Sequence, residues 1–419
     1  MRLVIANPHI QPFSHTVASI VFRRRSIDKY RYFIDEFIQS SKYKTAFYID
    51  GTRSSFNTLG IRFQIFPKLF TYIELLIWMG IHRINPFHHA VYFSTKRLHP
   101  NSDIIFNFSN STIDGEQVPI NSLEMHRFQG IIATHLSHYF IGTKAITAYL
   151  KTLPHNLLVA ESNLANNQFF QHYMPNLQKT HILPFVVKPR YRNNTNVFKS
   201  RINKCFAVGT LFEPKSQEYK DFFGNTPFHP MRQAIYSNQD KLKDVIDSFI
   251  NSLNKTIDLK QIHPEDSLTI RLAKRYLPYV LLENLVPNHK NTYFSFDIVA
   301  KYNAYRMFIS PEEIIGLPSI NAIEGMACGA AFIGIDHPMY IDIGLIPNVH
   351  YIAYKNQNLE DLVQRIQYYQ QYPEECEKIA QAGYQFVSSN FTPEAVAKRL
   401  WESLGLELSD LNVGLNTRT

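Results

Sequence analysis

Residues 310–336 read SPEEIIGLPSINAIEGMACGAAFIGID, and no other stretch of the chain carries as much structural information. A strand over residues 305–309 (YRMFI) runs into it and ends at Ser310-Pro311. A loop bearing two carboxylates, Glu312 and Glu313, follows. Gly316-Leu317-Pro318 then reads as a turn whose glycine lets backbone approach a ligand closely. The spacing predicts a helix from about Ser319 to Cys328, so its free N–H groups and its dipole can face an anion such as a diphosphate. Glu324 sits about one and a half turns into that helix. Small residues (Gly325, Ala327, Gly329, Ala330, Ala331) allow the helix to pack tightly on the next strand, 331–335. Strand, loop, helix and strand in this order make a parallel α/β unit.

The same rhythm extends in both directions. Towards the C-terminus, helices are expected over 359–369 and 373–391. Upstream, a strand over 204–208 runs into a turn at Gly209, and helices are expected over 241–253 and 267–282. The first half predicts strands over 3–6, 45–49, 61–65, 104–108, 130–134, 157–160 and 180–184, with helices over 30–39, 141–150 and 163–173. Between the halves lies a polar, proline-marked segment (Pro184, Pro189, Asn193, Asn194, Asn196) that reads as a linker. A chain of 419 residues exceeds the usual single-domain size. The expectation is an N-terminal α/β domain over 1–195, a C-terminal one over 196–407, a tail over 408–419, and a ligand cleft between the domains.

Composition narrows the function. With 45% hydrophobic and 19% charged residues the chain can bury a sizeable core. The formal charge of +8 admits nucleic acid, an anionic membrane face or phosphorylated ligands as partners. Nucleic acid is set aside, because the basic residues are scattered and no zinc-finger or RNA-binding spacing is present. The one tight run, Arg23-Arg24-Arg25, reads equally well as a solvated loop or as a phosphate- or membrane-facing one. Three distant cysteines, Cys205, Cys328 and Cys376, have no metal or disulfide spacing and fit a reduced, cytoplasmic setting. The opening residues MRLVIANP read as a first strand instead of a signal peptide. Residues 66–84 (FPKLFTYIELLIWMGIHRI) are strongly apolar but carry Lys68, Glu74, His82 and Arg83, so spanning a membrane is not expected. Packing within the domain is the first reading of that stretch and docking at an anionic bilayer the second.

The 310–336 stretch resembles the donor-site signature of GT-B-fold glycosyltransferases, in particular retaining family 4 and the related spore-maturation-type group. These share a glutamate, a Gly-Leu-Pro turn and a second glutamate just before Met-Ala-Cys-Gly. Val349–Tyr354 (VHYIAY), Asn358-Leu359-Glu360-Asp361-Leu362, Pro373-Glu374 and Ala380-x-Ala382-Gly383 are similar to the family's later elements, so the resemblance covers about residues 200–400. It implies the α/β GT-B fold, two Rossmann-like domains with a cleft. It also implies that Glu324 binds the ribose hydroxyls of a nucleotide-sugar and that Glu313 lies by the donor sugar and its leaving phosphate. Gly316, Leu317, Pro318, Ser319, Ile320 and Asn321 would form the donor-binding turn and helix start. The family often has Gly-Arg after its first donor-domain strand. Here Gly209 is the donor-binding candidate at that turn, as a phosphate loop or a plain strand-end turn, and Thr210 follows it, which leaves Lys215 as the phosphate-binding lysine candidate. In the N-terminal half His135 is preferred to His138 as the histidine near the donor sugar, and His15 is a weaker candidate. The His263-Pro264 pair lacks the acidic partner that would make it a motif. The family spacing has seven residues between the glutamates, whereas Glu313 and Glu324 are separated by ten.

The function expected is transfer of a sugar from a nucleotide-sugar to a glycan or glycolipid acceptor, in surface polysaccharide or lipopolysaccharide synthesis. No metal or cofactor is expected, and the configuration of the sugar would be retained. Two alternatives stand beside it: a nucleotide-sugar epimerase of the same architecture, and a donor-binding subunit without catalysis.

Overall fold

The computed structural model describes residues 1–10, 16–21, 31–59, 65–108, 112–113, 116–117, 125–136, 143–194, 197–213, 216–252, 262, 266–276 and 296–416. His15, Arg23–Arg25, His138, Lys215 and His263 lie outside them. So do residues 61–64 of the strand expected over 61–65.

Two parallel sheets organise the chain. The first holds β1 (Arg2–Ala6), β2 (Thr45–Tyr48), β3 (Ala90–Tyr92), β4 (Asp103–Phe108), β7 (Ile131–His135), β8 (Asn156–Ala160) and β9 (His181–Ile182). Between β4 and β7 lies a separate antiparallel ribbon, β5 (Thr112–Ile113) and β6 (Glu116–Gln117). The second sheet holds β10 (Ile202–Leu211), β11 (Ile246–Ser252), β12 (Tyr305–Ile309), β13 (Ala331–Ile335) and β14 (Ile352–Tyr354). The strand orders are 3-2-1-4-7-8-9 and 11-10-12-13-14. Each sheet reverses its direction of growth once, between β1 and β4 and between β10 and β12. In open α/β sheets ligands bind outside the carboxyl ends of strands at such switch points. The loop that opens at Ser310 leaves one of them.

The described helices are α1 (Val17–Val21), α2 (Arg31–Gln39), α3 (Pro67–Ile81), α4 (Thr143–Leu150), α5 (Gln168–Tyr173), α6 (Gln217–Phe223), α7 (Pro230–Ser237), α8 (Gln239–Leu242), α9 (Leu268–Tyr276), α10 (Ile298–Ala304), α11 (Ile320–Ala327), α12 (Pro338–Asp342), α13 (Leu359–Gln371), α14 (Pro373–Asn390) and α15 (Pro393–Asn416). Strands flanked by helices on both faces are apolar on both faces, which is why β7 and β13 are buried at every position. Each fully buried Phe or Ile there contributes about 1.5–3 kcal/mol.

Three expectations are corrected. Residues 246–252, read as part of a helix over 241–253, form β11, which pairs along β10 from Cys205↔Ile246 to Leu211↔Ser252. The β-branched and aromatic residues of Val245-Ile246-Asp247-Ser248-Phe249-Ile250 favour the sheet, and partnership with β10 outweighs the weak helical period. The helix expected over 163–173 is broken into a turn at Leu164–Asn166 and α5. Asn163 caps the first through the Ala165 N–H, and Asn167 caps the second through those of Phe169 and Phe170. Residues 408–416 continue α15 instead of forming a tail. That helix returns to the first sheet, with the Trp401 ring 5.0 Å from Tyr43 and 6.2 Å from Phe37.

The two sheets also share apolar contacts on the side of the 310–319 loop. Phe169 of α5 stacks on Phe223 of α6 at 5.6 Å and meets Phe222 edge-on at 5.4 Å. Ile315 joins the same buried cluster as Val4, Ile105 and Leu158 of the first sheet.

Candidate functional site

The site forms where β10 and β12 end. Arg232, projecting from α7, lies across both ends: its Nε donates to the Pro311 carbonyl at 2.7 Å and Nη1 to the Thr210 carbonyl at 3.1 Å. Gly209 makes the room, since a Cβ there would stand 2.7 Å from Arg232 Cδ and Nε. The residue expected to border a phosphate is thus also the residue over which a buried guanidinium passes.

Of the two adjacent glutamates, Glu312 is the deeper. It accepts from the Tyr340 hydroxyl at 2.5 Å and from the Ile335 N–H at 3.3 Å, with Tyr354 against the same carboxylate. Burial raises its pKa, and the Tyr340 hydrogen bond opposes the rise. Glu313 is half-buried, on backbone pinned by hydrogen bonds from the Ile314 N–H to Phe228 and from the Gly316 N–H to the Glu313 carbonyl itself. Burial, then the Glu313 charge, push the Tyr219 phenol up to about 12. Glu313 also borders a small hollow with His337, Asn356 and Gln357. A cavity of about 270 Å³ lies alongside, lined by Phe212, Glu213, Tyr219, Lys220, Phe228 and His229 among others. His229 is held neutral, because burial and then Arg232 push its pKa down to about 2.

The turn takes the left-handed conformation at Gly316, φ 78°, where a Cβ would stand 3.0 Å from His337 and 3.3 Å from Asn167. Asn167 Nδ2 donates to the Ile315 carbonyl, so the first domain grips the loop directly. Leu317 is partly covered and Pro318 buried. Ser319 caps α11 by accepting from the Asn321 N–H at 3.3 Å, and Ser310 Oγ lies 3.2 Å from Ser319 Oγ and 3.1 Å from Asn321 Nδ2. Ile320 opens the helix. The expected helix start is therefore present, with its two polar side chains tied to the end of β12.

Glu324 is 3% exposed and pairs with Lys188 Nζ at 3.1 Å, with Tyr191 against it. Burial raises its pKa and Lys188 lowers it. The carboxylate expected to face a ribose is turned to the segment that joins the two sheets. Lys188, like Arg232, Lys220 and Tyr340, was outside the sequence expectation: none sits at a spacing that a motif could reveal.

His135, expected beside the sugar, is instead fully buried at the end of β7, with Nε2 3.9 Å from Glu161 Oε1. Burial lowers its pKa from 6.5 to about 3. The unfolded chain takes up that proton first, so stability falls as pH drops below 6.5 and continues to fall to about 3. One such histidine contributes a slope of about 1.4 kcal/mol per pH unit. His135→Gln should flatten the dependence of the urea midpoint on pH between 6.5 and 5. An unchanged slope would show that the ring is solvated.

With this geometry in view, part of the C-terminal half can be set beside a known family. Residues 282–402 match the family described as glycosyl transferase-like, a span that includes β12, the 310–319 loop and α11. Of the second sheet, the match spans β12, β13 and β14. No curated protein matches the sequence. Among solved structures, the chain is similar to the Anabaena protein Alr3699/HepE in complex with UDP, at 9% identity over 97% of this chain and 100% of that one, with a TM-score of 0.49. It is also similar to sucrose-phosphate synthase from Thermosynechococcus elongatus (13% identity, 100% of each chain, TM-score 0.43). A glycosyltransferase from Rickettsia africae gives 14% identity over 96% of this chain and 97% of that one, with a TM-score of 0.44. Likenesses of this size bear on neither substrate nor chemistry.

Proposed function

We propose that the protein transfers a sugar from a nucleoside-diphosphate sugar to a glycan or lipid-linked acceptor, in surface polysaccharide or lipopolysaccharide synthesis. The observation that supports this best is the meeting of Arg232 with the loop that carries Glu313 and leads to the start of α11, at the β10–β12 switch point; that loop and helix lie inside the segment that matches the transferase family. In this reading the bond from the anomeric carbon to the diphosphate oxygen breaks, and the diphosphate leaves with the electron pair. An acceptor hydroxyl forms the new bond on the same face and gives its proton to the departing phosphate. Arg232, Lys220 and the α11 dipole offset the charge of the leaving group without a metal ion or other cofactor. The half-buried Glu313 stabilises positive charge at the anomeric carbon. The two donor-site glutamates then divide the work: Glu313 serves the sugar, and Glu324 reaches ribose once Lys188 gives way.

The protein is proposed to work in the cytoplasm, against the inner face of the membrane. No described helix is long and apolar enough to cross one.

Nucleotide release from a panel of nucleotide-sugars, with and without acceptor extract, is the test. Release that depends on acceptor supports transfer. Conversion of the donor to its epimer without acceptor, or binding without turnover, overturns it in favour of the epimerase or the binding subunit. Glu313→Ala should lower turnover about a hundredfold, the scale of losing one electrostatic or acid/base group, with donor affinity nearly unchanged. Full activity in that variant would remove Glu313 from the chemistry.

A further inference from the structure

Helix α3 is an inverted surface helix. Its inner face buries Thr71, Glu74, Leu75, Trp78 and Met79. Its outer face, which soluble proteins normally make polar, presents Leu69 (58% exposed), Ile73 (45%), Leu76 (37%), Ile77 (47%) and Ile81 (37%) to solvent. The apolar surface continues past both ends, with Ile65, Phe66 and Phe87 at 77%, 75% and 94% exposure. Contiguous exposed patches of this kind mark interaction surfaces. Phe66 at the N-cap holds a left-handed backbone, φ 49°, and so does Arg83 beyond the C-cap, φ 56°. Such a conformation is strained for a bulky residue and persists only where its surroundings enforce it. Here it keeps an aromatic ring projecting into solvent.

Charge identifies the occupant. From residue 65 to residue 100 the single acidic residue is Glu74, and its carboxylate is buried against the Ser55 N–H at 2.9 Å. The charged side chains exposed over the same stretch are Lys68, Arg83, Lys96 and Arg97. We infer that the outer face of α3, with Phe66 and Phe87 at its ends and Lys68 and Arg83 on its rim, docks the protein on an anionic lipid bilayer. This specifies the surface behind the membrane placement proposed above and is independent of the transfer chemistry. Fifteen residues span about 22 Å, short of a hydrocarbon core of about 30 Å, so the helix lies in the interface instead of crossing it. Aliphatic and aromatic residues enter the headgroup boundary while the basic rim meets the lipid charge. A second copy of the chain fits less well, because stacking two such faces would bring Lys68 and Arg83 against an equally basic rim, where residues 65–100 offer no exposed carboxylate to receive them.

Co-sedimentation with vesicles of phosphatidylcholine, alone or mixed with phosphatidylglycerol, tests the inference. The full chain should bind the anionic vesicles at least about tenfold more tightly than the neutral ones, with binding weakened by salt. Leu69→Glu, Ile73→Glu and Ile77→Glu in one protein should reduce that binding about tenfold or more while the melting temperature and transfer to a soluble acceptor stay unchanged. Lys68→Gln with Arg83→Asn should lose the preference for anionic lipid, asparagine being tolerant of the left-handed backbone. Binding indifferent to lipid charge overturns the inference, as does undiminished binding by the triple variant. So does a lipid-free dimer that the triple variant converts to monomers, since that would assign the face to a second copy. Loss of transfer in the wild type with vesicle binding intact would instead count against the enzymatic reading alone.

Discussion

Glu312→Ala should lower folding stability by about 3–5 kcal/mol, the scale of breaking a buried polar network by removing one partner. The buried Tyr340 hydroxyl at 2.5 Å and the Ile335 N–H at 3.3 Å would lose their acceptor. Each stranded donor costs about 1–3 kcal/mol, and truncating a 6%-exposed side chain adds a void. The midpoint of thermal unfolding should fall by roughly 3–6 °C for a chain of this size. Glu312→Gln keeps an acceptor for Tyr340 and should lose much less. A loss below about 1 kcal/mol for the alanine variant would mean that Tyr340 finds another acceptor. The sequence alone gives Glu312 no role beside Glu313.

Arg232→Met should be comparably damaging to stability, and it should also lower turnover by more than about a hundredfold. Its two hydrogen bonds, at 2.7 and 3.1 Å, are made by a charged donor to carbonyls on different strand ends. Bonds of that type contribute about 1.5–3 kcal/mol each, so about 3–6 kcal/mol of stability is at stake. Under the transferase reading the same cation offsets charge on the departing diphosphate, a contribution on the scale of one oxyanion-stabilising donor. Arg232→Lys should rescue little of either quantity, since a single ammonium on a flexible stem does not reproduce the planar fork. Melting and steady-state nucleotide release on the same preparations separate the two roles. Normal turnover in a destabilised Arg232→Met protein would leave Arg232 as a tie between loops and nothing more.

The parallel sheets were legible because both faces of each strand are apolar: runs such as Phe206-Ala207-Val208 and Phe332-Ile333 need no partner to be recognised. The helix start at Ser319 was legible because a cap and a preceding turn are local chemistry. Two kinds of element escaped. The three residues of β3 are too few to show a period, and β11 carries apolar positions that suit a helix until β10 supplies its hydrogen bonds. The site was half legible. Glu312, Glu313, Glu324 and Gly316 stand in one short stretch, but what each touches comes from afar: Tyr340 follows by 28 residues, Arg232 precedes Pro311 by 79, and Lys188 arrives from the segment between the sheets. Those distances are properties of the fold, and local sequence carries no trace of them. His135 shows the converse. It is the last residue of β7 and not the first residue after a strand, and depth within the sheet makes it a neutral buried ring.

The stacking of Phe169 on Phe223, with Ile315 in the same cluster, bears on how the molecule can be taken apart. Two sheets suggest two separable modules, but an isolated C-terminal half would carry Phe222, Phe223 and Ile315 into water, and the N-terminal half would lose the Trp401 ring that covers Tyr43. Where inter-domain surfaces are small and polar, the pieces can often be expressed alone. Here α15, residues 393–416, caps the first sheet, so the N-terminal sheet acquires its full cover only after that helix has been made, and chains cut between the sheets should yield neither half in stable form.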